Sequence, residues 1–363
     1  MKRYKRIVIK IGTKVIASKD SGLDANRIDE IACQIEEIMG QGIDVILVTS
    51  GAIGAGMRLL NMKKRPSDLA SLQAAAAIGQ YHLMNMYGEF LKKKHYKVGQ
   101  ILLTQEDFND RKRYLNIKHT INALLERRAI PVINENDTVA TDEIKCGDND
   151  RLSSLVADLC EAGLLMLLTD VDGLLDGEGN IISEVLEITP EILKLGGKSH
   201  CDLGTGGMAT KLEAARNATE AGIDCIIANG KKSRVISRVV LDGERVGTIF
   251  AGKGKKTLAK KRWIACSSKP KGTISVDDGA KIALLEKDKS LLASGIIGLD
   301  GNFRSGNVIS VTDKSGREIA RGVTNYSAED LSKIKGLNTS KFKTVLGLEG
   351  PDEVIHKDNL VLL

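Results

Sequence analysis

The alternation of continuous apolar runs with helical patterns constrains the fold of this chain more than any other feature. Segments with apolar residues at helical spacing separate most of the runs. The runs of strand length are residues 6–13, 43–52, 98–104, 129–135, 163–170 and 223–230. Because strands buried on both faces read as continuous apolar runs, the pattern predicts an α/β fold with a mostly parallel sheet sandwiched by helices.

The carboxyl ends of these runs predict where a ligand would bind, because ligands of open parallel sheets lie outside the strand ends. A dense polar stretch at 134–150, with nine acidic or amide residues, follows one of the runs. It could be a solvated loop, a metal site or a pocket for a positively charged ligand. Other candidate residues at the ends of these runs are Lys10, Gly12, Ser50, Gly51, Thr169, Asp170 and Asn229.

A basic segment at 252–262 with two glycines interrupts the α/β pattern and predicts a domain boundary. Residues 1–251 carry a net charge of −1, whereas residues 252–363 carry +7. Beyond the boundary, short alternating strands with glycine turns predict a small β-barrel or sandwich. We therefore expect a catalytic domain at 1–255, followed by a linker and a small β domain at 256–363.

The cysteine spacing, the apolar runs and the N-terminal segment together predict the cellular location. Six cysteines are scattered without a CxxC pair, and no run approaches the ~20 apolar residues of a membrane span. The N-terminal segment has Lys10 inside its first apolar run and no cleavage-site pattern. These features predict a cytoplasmic protein with reduced thiols and no membrane partner.

The glycine-rich segment GTGGMATK at 204–211 leads directly into a helical pattern. A flexible turn at a helix N-terminus favours phosphate binding, and Lys211 would add a mobile positive charge. The segment is also typical of a structural turn with a surface lysine, and it is not a Walker loop, because Thr210 precedes the lysine. A second glycine-rich segment, TSGAIGAG at 49–56, lacks the dinucleotide fingerprint. Lys10 has the same two interpretations, either a contact with an anion or a side chain that reaches solvent at the sheet edge.

The two kinds of charged segment together favour phosphoryl transfer. Lysines and glycine loops would supply positive potential for a nucleotide. Carboxylates and amides of the 134–150 stretch could hold an ammonium group and help to place the metal that accompanies ATP. No Ser/His/Asp order stands out and the histidines lie outside these loops, so a hydrolase is disfavoured.

Several motifs, in chain order, strongly resemble those of the bacterial glutamate 5-kinases in the amino acid kinase family, over essentially the whole chain. They are KIGTKVI, VTSGAIGAG, PVINENDTVAT, EIKCGDNDRLS, LLTDVDGL, GTGGMATK and KRWI. The resemblance implies the amino acid kinase fold and phosphorylation of the L-glutamate γ-carboxylate by ATP to L-glutamyl 5-phosphate, the first step of proline biosynthesis. It further implies Mg²⁺ alongside ATP, a homo-oligomer, and feedback inhibition by proline.

The resemblance also implies roles for individual residues. Lys10, Lys211 and Asp150 would be catalytic, with Lys211 stabilising the transferring phosphoryl group and Asp150 organising the two lysines. The implied ATP-binding residues are Lys10, Gly12, Thr169, Asp170, Thr205, Gly206, Gly207, Met208, Ala209, Thr210 and Lys211. The implied substrate-binding residues are Ser50, Gly51, Asn134, Asp137, Asp148 and Asn149. No side chain is assigned to a metal, and Cys146 and Asp172 are given no role.

The segment GNFRSGNVISV at 301–311 resembles a PUA domain, a small β-barrel that binds RNA in tRNA- and rRNA-modifying enzymes. The positive charge of this region would suit RNA. Only Trp263, Phe303, Tyr326 and Phe342 could stack on bases, so a structural or regulatory role is favoured over RNA binding. Two alternatives remain open: the same fold acting on acetylglutamate, carbamate or a nucleotide, and an RNA-binding or regulatory protein with a vestigial kinase body.

Overall fold

The computed structural model describes residues 4–18, 22–140, 149–197, 207–253, 264, 270–287, 289–347 and 350–363. These residues divide into two compact units. The larger unit is drawn from Met1–Gln105 and Asn116–Lys256, and the smaller from Glu106–Leu115 and Thr257–Leu363. The expected domain boundary between residues 255 and 256 lies outside the described residues and stays a prediction.

An eight-stranded sheet forms the centre of the larger unit, in the order β5-β6-β4-β1-β7-β9-β10-β8. The strands of this unit are β1 (Arg6–Ile11), β2 (Ala17–Ser18), β3 (Gly22–Leu23), β4 (Asp44–Val48), β5 (Lys97–Leu103), β6 (Ala129–Glu135), β7 (Leu164–Thr169), β8 (Glu184–Val185), β9 (Asp224–Asn229) and β10 (Thr248–Phe250), with β2 and β3 in a separate ribbon. Neighbours from β5 to β9 pair in parallel, and β10 is antiparallel to β9. The mostly parallel sheet predicted from the apolar runs is therefore confirmed.

Helices connect most of these strands. They are α1 (Thr13–Ile16), α2 (Ala25–Gly40), α3 (Ala52–Leu59), α4 (Leu69–Lys93), α5 (Gln105–Asn109), α6 (Arg111–Glu126), α7 (Asn149–Leu159), α8 (Pro190–Leu195), α9 (Met208–Glu220) and α10 (Val235–Val240). Among the described residues, no helix combines the length and the apolar character that crossing a membrane would require.

Helix α2 shows how local sequence sets these elements. The side chain of Asp24 accepts a hydrogen bond from the Arg27 amide at 3.0 Å, which caps the N-terminus of the helix. Isoleucines at helical spacing then form one buried stripe. They are Ile28, Ile31, Ile35 and Ile38. The stripe packs in the same core as strands β1, β4 and β7.

Strand β1 lies between β4 and β7 at the centre of the sheet, with Lys10 opposite Val48 and Leu167 in the two neighbouring strands. Because the strands from β5 to β9 run in parallel, their carboxyl ends meet at one edge of the sheet. The polar residues that follow β1, β4, β6, β7 and β9 are therefore brought to the same side of the larger unit.

The smaller unit contains a five-stranded sheet in the order β12-β11-β13-β14-β15. Its strands are β11 (Thr273–Val276), β12 (Ile296–Asp300), β13 (Val308–Thr312), β14 (Glu318–Val323) and β15 (Leu360–Leu362). Its helices are α11 (Asp278–Leu285), α12 (Ala328–Ile334) and α13 (Phe342–Leu346). Most neighbouring strands are antiparallel, in agreement with the predicted small β domain.

Three aromatic side chains of the smaller unit lie in its core. Phe303, Tyr326 and Phe342 are all buried, and the last two make an edge-to-face contact with ring centroids 5.8 Å apart. Trp263 lies outside the described residues. These three rings therefore contribute to folding and are not presented for base stacking.

Candidate active site

A carboxylate held between two lysine side chains forms the centre of the candidate site. Lys10 Nζ lies 2.5 Å from Asp150 Oδ1, and Lys211 Nζ lies 3.0 Å from Asp150 Oδ2. All three side chains are buried, and Asp150 is only 1% exposed. The group as a whole carries one net positive charge in a poorly solvated position, so it favours the binding of an anion.

Three elements position these side chains. Lys10 stands one residue before the end of β1, Asp150 lies in the first turn of α7, and Lys211 lies in the first turn of α9. Both helices begin at the carboxylate, so their positive dipole ends add to the charge of the lysines. The hydroxyl of Thr210 also lies 2.9 Å from Asp150 Oδ2.

The two lysines determine the ionisation of Asp150. Burial by itself would raise the pKa of this carboxyl, but the positive charges of Lys10 and Lys211 outweigh burial and lower the pKa to about 2. Asp150 is therefore ionised at neutral pH, and it neutralises one of the two buried ammonium groups.

Replacing Asp150 with Asn should destabilise the protein, and less so in acid. The carboxyl has a pKa of about 2 when folded and 3.8 when unfolded, so its stabilising effect is complete above the unfolded value and is lost as pH falls toward the folded value. This linkage contributes roughly 2 kcal/mol at pH 7. Urea denaturation of wild type and Asp150→Asn at pH 7 and pH 3 should show their difference in unfolding free energy narrowing by about 1 kcal/mol. A difference that widens in acid would contradict the ion-pair assignment.

The predicted phosphate loop is largely the first turn of a helix. Helix α9 begins at Met208, so Met208, Ala209, Thr210 and Lys211 are helical, and Gly207 precedes them. Thr210 Oγ1 lies 2.9 Å from the Gly207 carbonyl, and the Lys211 ammonium donates to the same carbonyl at 3.5 Å. Thr205 and Gly206 lie outside the described residues.

Thr169 and Asp170 leave the sheet at the end of β7, on the side of β1 away from β4. Thr169 is buried, and its hydroxyl donates to Asp170 Oδ1 at 3.3 Å. The Lys14 ammonium lies 3.1 Å from Asp170 Oδ2. Partial burial raises the pKa of Asp170, but hydrogen bonds, that of Lys14 first among them, leave the pKa below its usual value.

Gly12 lies close against the end of β7. Its amide donates to the Leu168 carbonyl at 2.9 Å, and a Cβ at this position would lie 3.0 Å from that oxygen. A side chain here would crowd the Leu168 carbonyl, so the close approach of the two strand ends favours glycine.

A contact between the exits of β7 and β9 was missed in the sequence. Asp172 Oδ1 accepts a hydrogen bond from Asn229 Nδ2 at 2.8 Å and lies 3.1 Å from the Lys232 ammonium. The resemblance to the family assigned no role to Asp172, because the family varies at that position. Its contact depends on β7 and β9 being neighbours, and local sequence carries no signal of that pairing.

A buried amide network joins three of the predicted substrate-binding residues. Asn149 Nδ2 donates to Ser50 Oγ at 3.1 Å and to Asn134 Oδ1 at 3.0 Å. Asn134 Nδ2 in turn donates to Gln80 Oε1 at 2.7 Å. Gln80 was also missed, because it lies in the Ala-rich segment ASLQAAAAIGQ at 70–80 and at no strand end.

The other predicted substrate-binding residues occupy turns beside this network. Gly51 has φ of 101°, a left-handed conformation that favours glycine, and it begins α3 directly after Ser50. Asp137 is half-buried in a turn immediately after β6, where the Ala140 amide donates to the Asn136 carbonyl at 3.1 Å. Asp148 and the preceding residues 141–147 lie outside the described part of the chain.

The arrangement can therefore place an anion beside a polar pocket. The Lys10–Asp150–Lys211 group offers positive charge, and the amide network offers hydrogen bonds to a small polar ligand. Asn149 and Asp150 are consecutive residues of α7, so the two parts of the site adjoin. Among the described residues, no group of three or more His, Cys, Asp or Glu side chains could hold a metal ion.

Comparison with known proteins identifies the class that this fold and site define. Residues 5–229 match the model of the amino acid kinase family, and residues 272–346 match the PUA domain model. The chain belongs to the amino acid kinase family, with a PUA domain toward its C-terminus. The resemblance found in the sequence motifs is thereby confirmed, and family membership makes this protein a phosphotransferase that uses ATP.

Within this class, the chain is similar to glutamate 5-kinases along its whole length. It is 46% identical to the glutamate 5-kinase of Caldanaerobacter subterraneus subsp. tengcongensis, with 99% of this chain and 98% of the relative covered. It is 44% identical to that of Geobacter sp. strain M21 and 42% identical to that of Dictyoglomus thermophilum, with 100% of this chain and 99% of each relative covered.

Proposed function

We propose that this protein transfers the γ-phosphoryl group of ATP to the γ-carboxylate of L-glutamate, giving L-glutamyl 5-phosphate and ADP, the first step of proline biosynthesis. One observation carries the proposal: Lys10 and Lys211 converge on Asp150 next to a buried network of amide and hydroxyl groups. Whole-chain similarity to glutamate 5-kinases supports the choice of acceptor.

The chemistry follows from charge. The attacking carboxylate and the γ-phosphate are both anions, and two unit charges ~4 Å apart repel by ~4 kcal/mol at an effective dielectric constant near 20. Lys10 and Lys211 would reduce this repulsion by placing ammonium groups beside the transferring phosphoryl group. No general base is required, because the glutamate γ-carboxylate is already ionised at neutral pH.

Asp150 would hold both lysines in place rather than take part in bond making. Each of its oxygens lies beside one ammonium group, and its low pKa keeps it charged throughout the reaction. Both oxygens are thus occupied, and the described residues contain no other cluster suited to a cation. We therefore propose that Mg²⁺ enters bound to the phosphates of ATP, and we assign no side chain and no step to it.

The nucleotide and the amino acid would occupy the two sides of the lysine pair. Gly12, Thr169, Asp170 and the 205–211 segment would contact ATP. On the other side, Ser50, Gly51, Asn134, Asp148 and Asn149 would contact glutamate, and the Asp137 carboxylate would bind its ammonium group. The buried hydrogen bonds among Ser50, Asn134 and Asn149 support this assignment, because they hold the polar groups in fixed directions.

Replacing Asp137 with Ala should raise KM for glutamate about tenfold or more while leaving kcat within about twofold of wild type. An ammonium contact is present in the ground state and in the transition state alike, so its loss weakens binding without slowing the chemical step. Steady-state kinetics with glutamate and ATP varied separately would test this. Asp300→Ala, an exposed carboxylate at the end of β12, should leave both constants unchanged. A fall in kcat with unchanged KM would contradict the assigned role.

A hydroxamate assay tests the function directly. Incubation with ATP, Mg²⁺, hydroxylamine and L-glutamate should give the γ-hydroxamate, because hydroxylamine captures an acyl phosphate. N-acetylglutamate, carbamate and nucleoside monophosphates in place of glutamate should give far less product. Absence of hydroxamate with L-glutamate would refute the proposed function.

Regulation and assembly extend the proposal. We propose that proline inhibits the reaction, which the same assay with added proline measures.

We also propose a homo-oligomer, supported by exposed apolar side chains on α4, where Ile78 is 40% and Tyr81 is 78% exposed. A cytoplasmic location is supported by the free thiols of Cys160 and Cys225, which suit a reducing compartment. RNA is not proposed as a partner, given the buried aromatic rings of the smaller unit.

A further inference from the structure

We infer that Gln80 of α4 is a specificity residue for the amino acid substrate, acting both through Ser50 and through its own side-chain amide. It would accept a hydrogen bond from Asn134 at one end of the buried amide network and so hold the network in place, with Ser50 and Gln80 each presenting a donor to a carboxylate. This inference rests on the proposed function and deepens it, because it names the group that selects a carboxylate-bearing ligand.

A backbone amide fixes the direction of the network. The Glu135 N–H can only donate, and it lies 2.9 Å from Asn134 Oδ1 and 3.3 Å from Asn149 Oδ1. Both asparagines must therefore turn their oxygens toward Glu135 and their NH₂ groups away from it. With these orientations, every other hydrogen bond in the network has a defined donor.

The two outer members of the network follow from this orientation. Asn134 Nδ2 faces Gln80, so Gln80 must present its Oε1 as the acceptor, at 2.7 Å. Asn149 Nδ2 faces Ser50, so Ser50 Oγ accepts, at 3.1 Å, and its hydroxyl hydrogen can be donated to a different acceptor. Gln80 is thus linked to Ser50 through Asn134 and Asn149, and its contact helps to hold these side chains in place.

The second amide group of Gln80 provides independent support. Gln80 is 9% exposed, and within the described residues its buried Nε2 has no hydrogen-bond partner. An unpaired buried donor costs free energy, which is recovered when an acceptor binds. A carboxylate only accepts hydrogen bonds, so it would satisfy both the Ser50 hydroxyl and Gln80 Nε2. A ligand with an amide NH₂ group in the same place would leave donor facing donor.

Helix packing explains how a helix residue reaches this network. Gly79 immediately precedes Gln80, and an added Cβ at Gly79 would lie 1.8 Å from the Ala52 carbonyl oxygen. Helices α3 and α4 therefore touch through their backbones at this point. Since α3 begins directly after Ser50 and Gly51, the contact brings Gln80 close to the exit of β4.

The test is Gln80→Met, which keeps the length of the side chain and removes both polar groups. KM for L-glutamate in the hydroxamate assay should rise about tenfold or more, while kcat and KM for ATP stay within about twofold. The control is Gln34→Met on α2, a buried glutamine whose Oε1 accepts from the Ile236 amide at 2.9 Å. It should lower the melting temperature and leave KM for glutamate unchanged.

A double-mutant cycle with Ser50→Ala separates this role from a general loss of packing. If Gln80 acts partly through Ser50, Gln80→Met should raise KM for glutamate by a smaller factor in the Ser50→Ala background than in wild type. Equal factors in the two backgrounds, or a wild-type KM in Gln80→Met, would overturn this inference and leave the proposed function standing. A wild-type protein that forms no hydroxamate would overturn both.

Discussion

Replacing Lys211 with Ala should lower kcat for glutamyl phosphate formation by about 10²- to 10³-fold and change KM for glutamate by less than about twofold. The ammonium group stabilises charge on the transferring phosphoryl group, and the loss of a positioned electrostatic stabiliser acts mainly on the transition state. The amino acid pocket would keep its hydrogen bonds, because Ser50, Asn134 and Asn149 bond to one another. Steady-state kinetics with the hydroxamate assay would measure both constants.

Folding should not account for this loss of activity. In Lys211→Ala, the Asp150 carboxylate would still lie 2.5 Å from the Lys10 ammonium and beside the Thr210 hydroxyl, so it would not be left unpaired. Circular dichroism melting curves should therefore remain cooperative. Lys118→Ala, which removes a surface ion pair with Glu161, should retain full activity. If Lys211→Ala instead raised KM for glutamate with unchanged kcat, the phosphoryl-stabilising role would be wrong.

Replacing Gly79 with Ala should lower the free energy of unfolding by about 3 kcal/mol or more. The new Cβ would lie 1.8 Å from the Ala52 carbonyl oxygen and 2.4 Å from the Gly56 amide nitrogen. Gly56 makes the reciprocal contact, with a Cβ position 1.7 Å from the Ala75 carbonyl oxygen. Both obstacles are backbone atoms, so the collision cannot be relieved by a side-chain rotation, and α3 and α4 must move apart.

Gly88→Ala is the matched control in the same helix. Its added Cβ would meet only Val98 Cγ2, at 3.8 Å, which is an ordinary contact. Since Ala has a higher helix propensity than Gly, this variant should be neutral or slightly stabilised. Denaturant titrations should give free energies of unfolding for the two variants that differ by about 3 kcal/mol or more. An unchanged Gly79→Ala protein would show that the two helix backbones are not in contact. Because only Gly51 separates Ser50 from α3, Gly79→Ala should also weaken glutamate binding.

Much of the larger unit could be predicted from local patterns. Continuous apolar runs mark strands that are buried on both faces, and the predicted runs at 6–13, 163–170 and 223–230 correspond to the parallel neighbours β1, β7 and β9. The polar residues at their ends were correctly expected to face one edge of the sheet. The motifs further identified the family, because they preserve residue types in a specific order.

The contacts within the candidate site were less accessible to sequence reasoning. The acidic stretch at 134–150 was treated as one polar segment, whereas Asn134 ends a strand region and Asn149 and Asp150 begin a helix. Asn229 was noted only as a strand end, and its hydrogen bond with Asp172 required β7 and β9 to be adjacent. Residue type indicated polarity at these positions but could not indicate the partner.

By itself, the sequence determined which segments are buried, their strand or helix type, the parallel sheet and the family. Only the tertiary structure decided that Lys10 and Lys211, 201 positions apart in the chain, share the single carboxylate of Asp150, and that Gln80 accepts a hydrogen bond from Asn134 at one end of an amide network. The physical reason is that the periodicity of apolar residues in the sequence indicates whether each residue is buried or exposed to solvent. Which residues contact each other in the folded chain depends instead on strand order and on how closely two helix backbones approach.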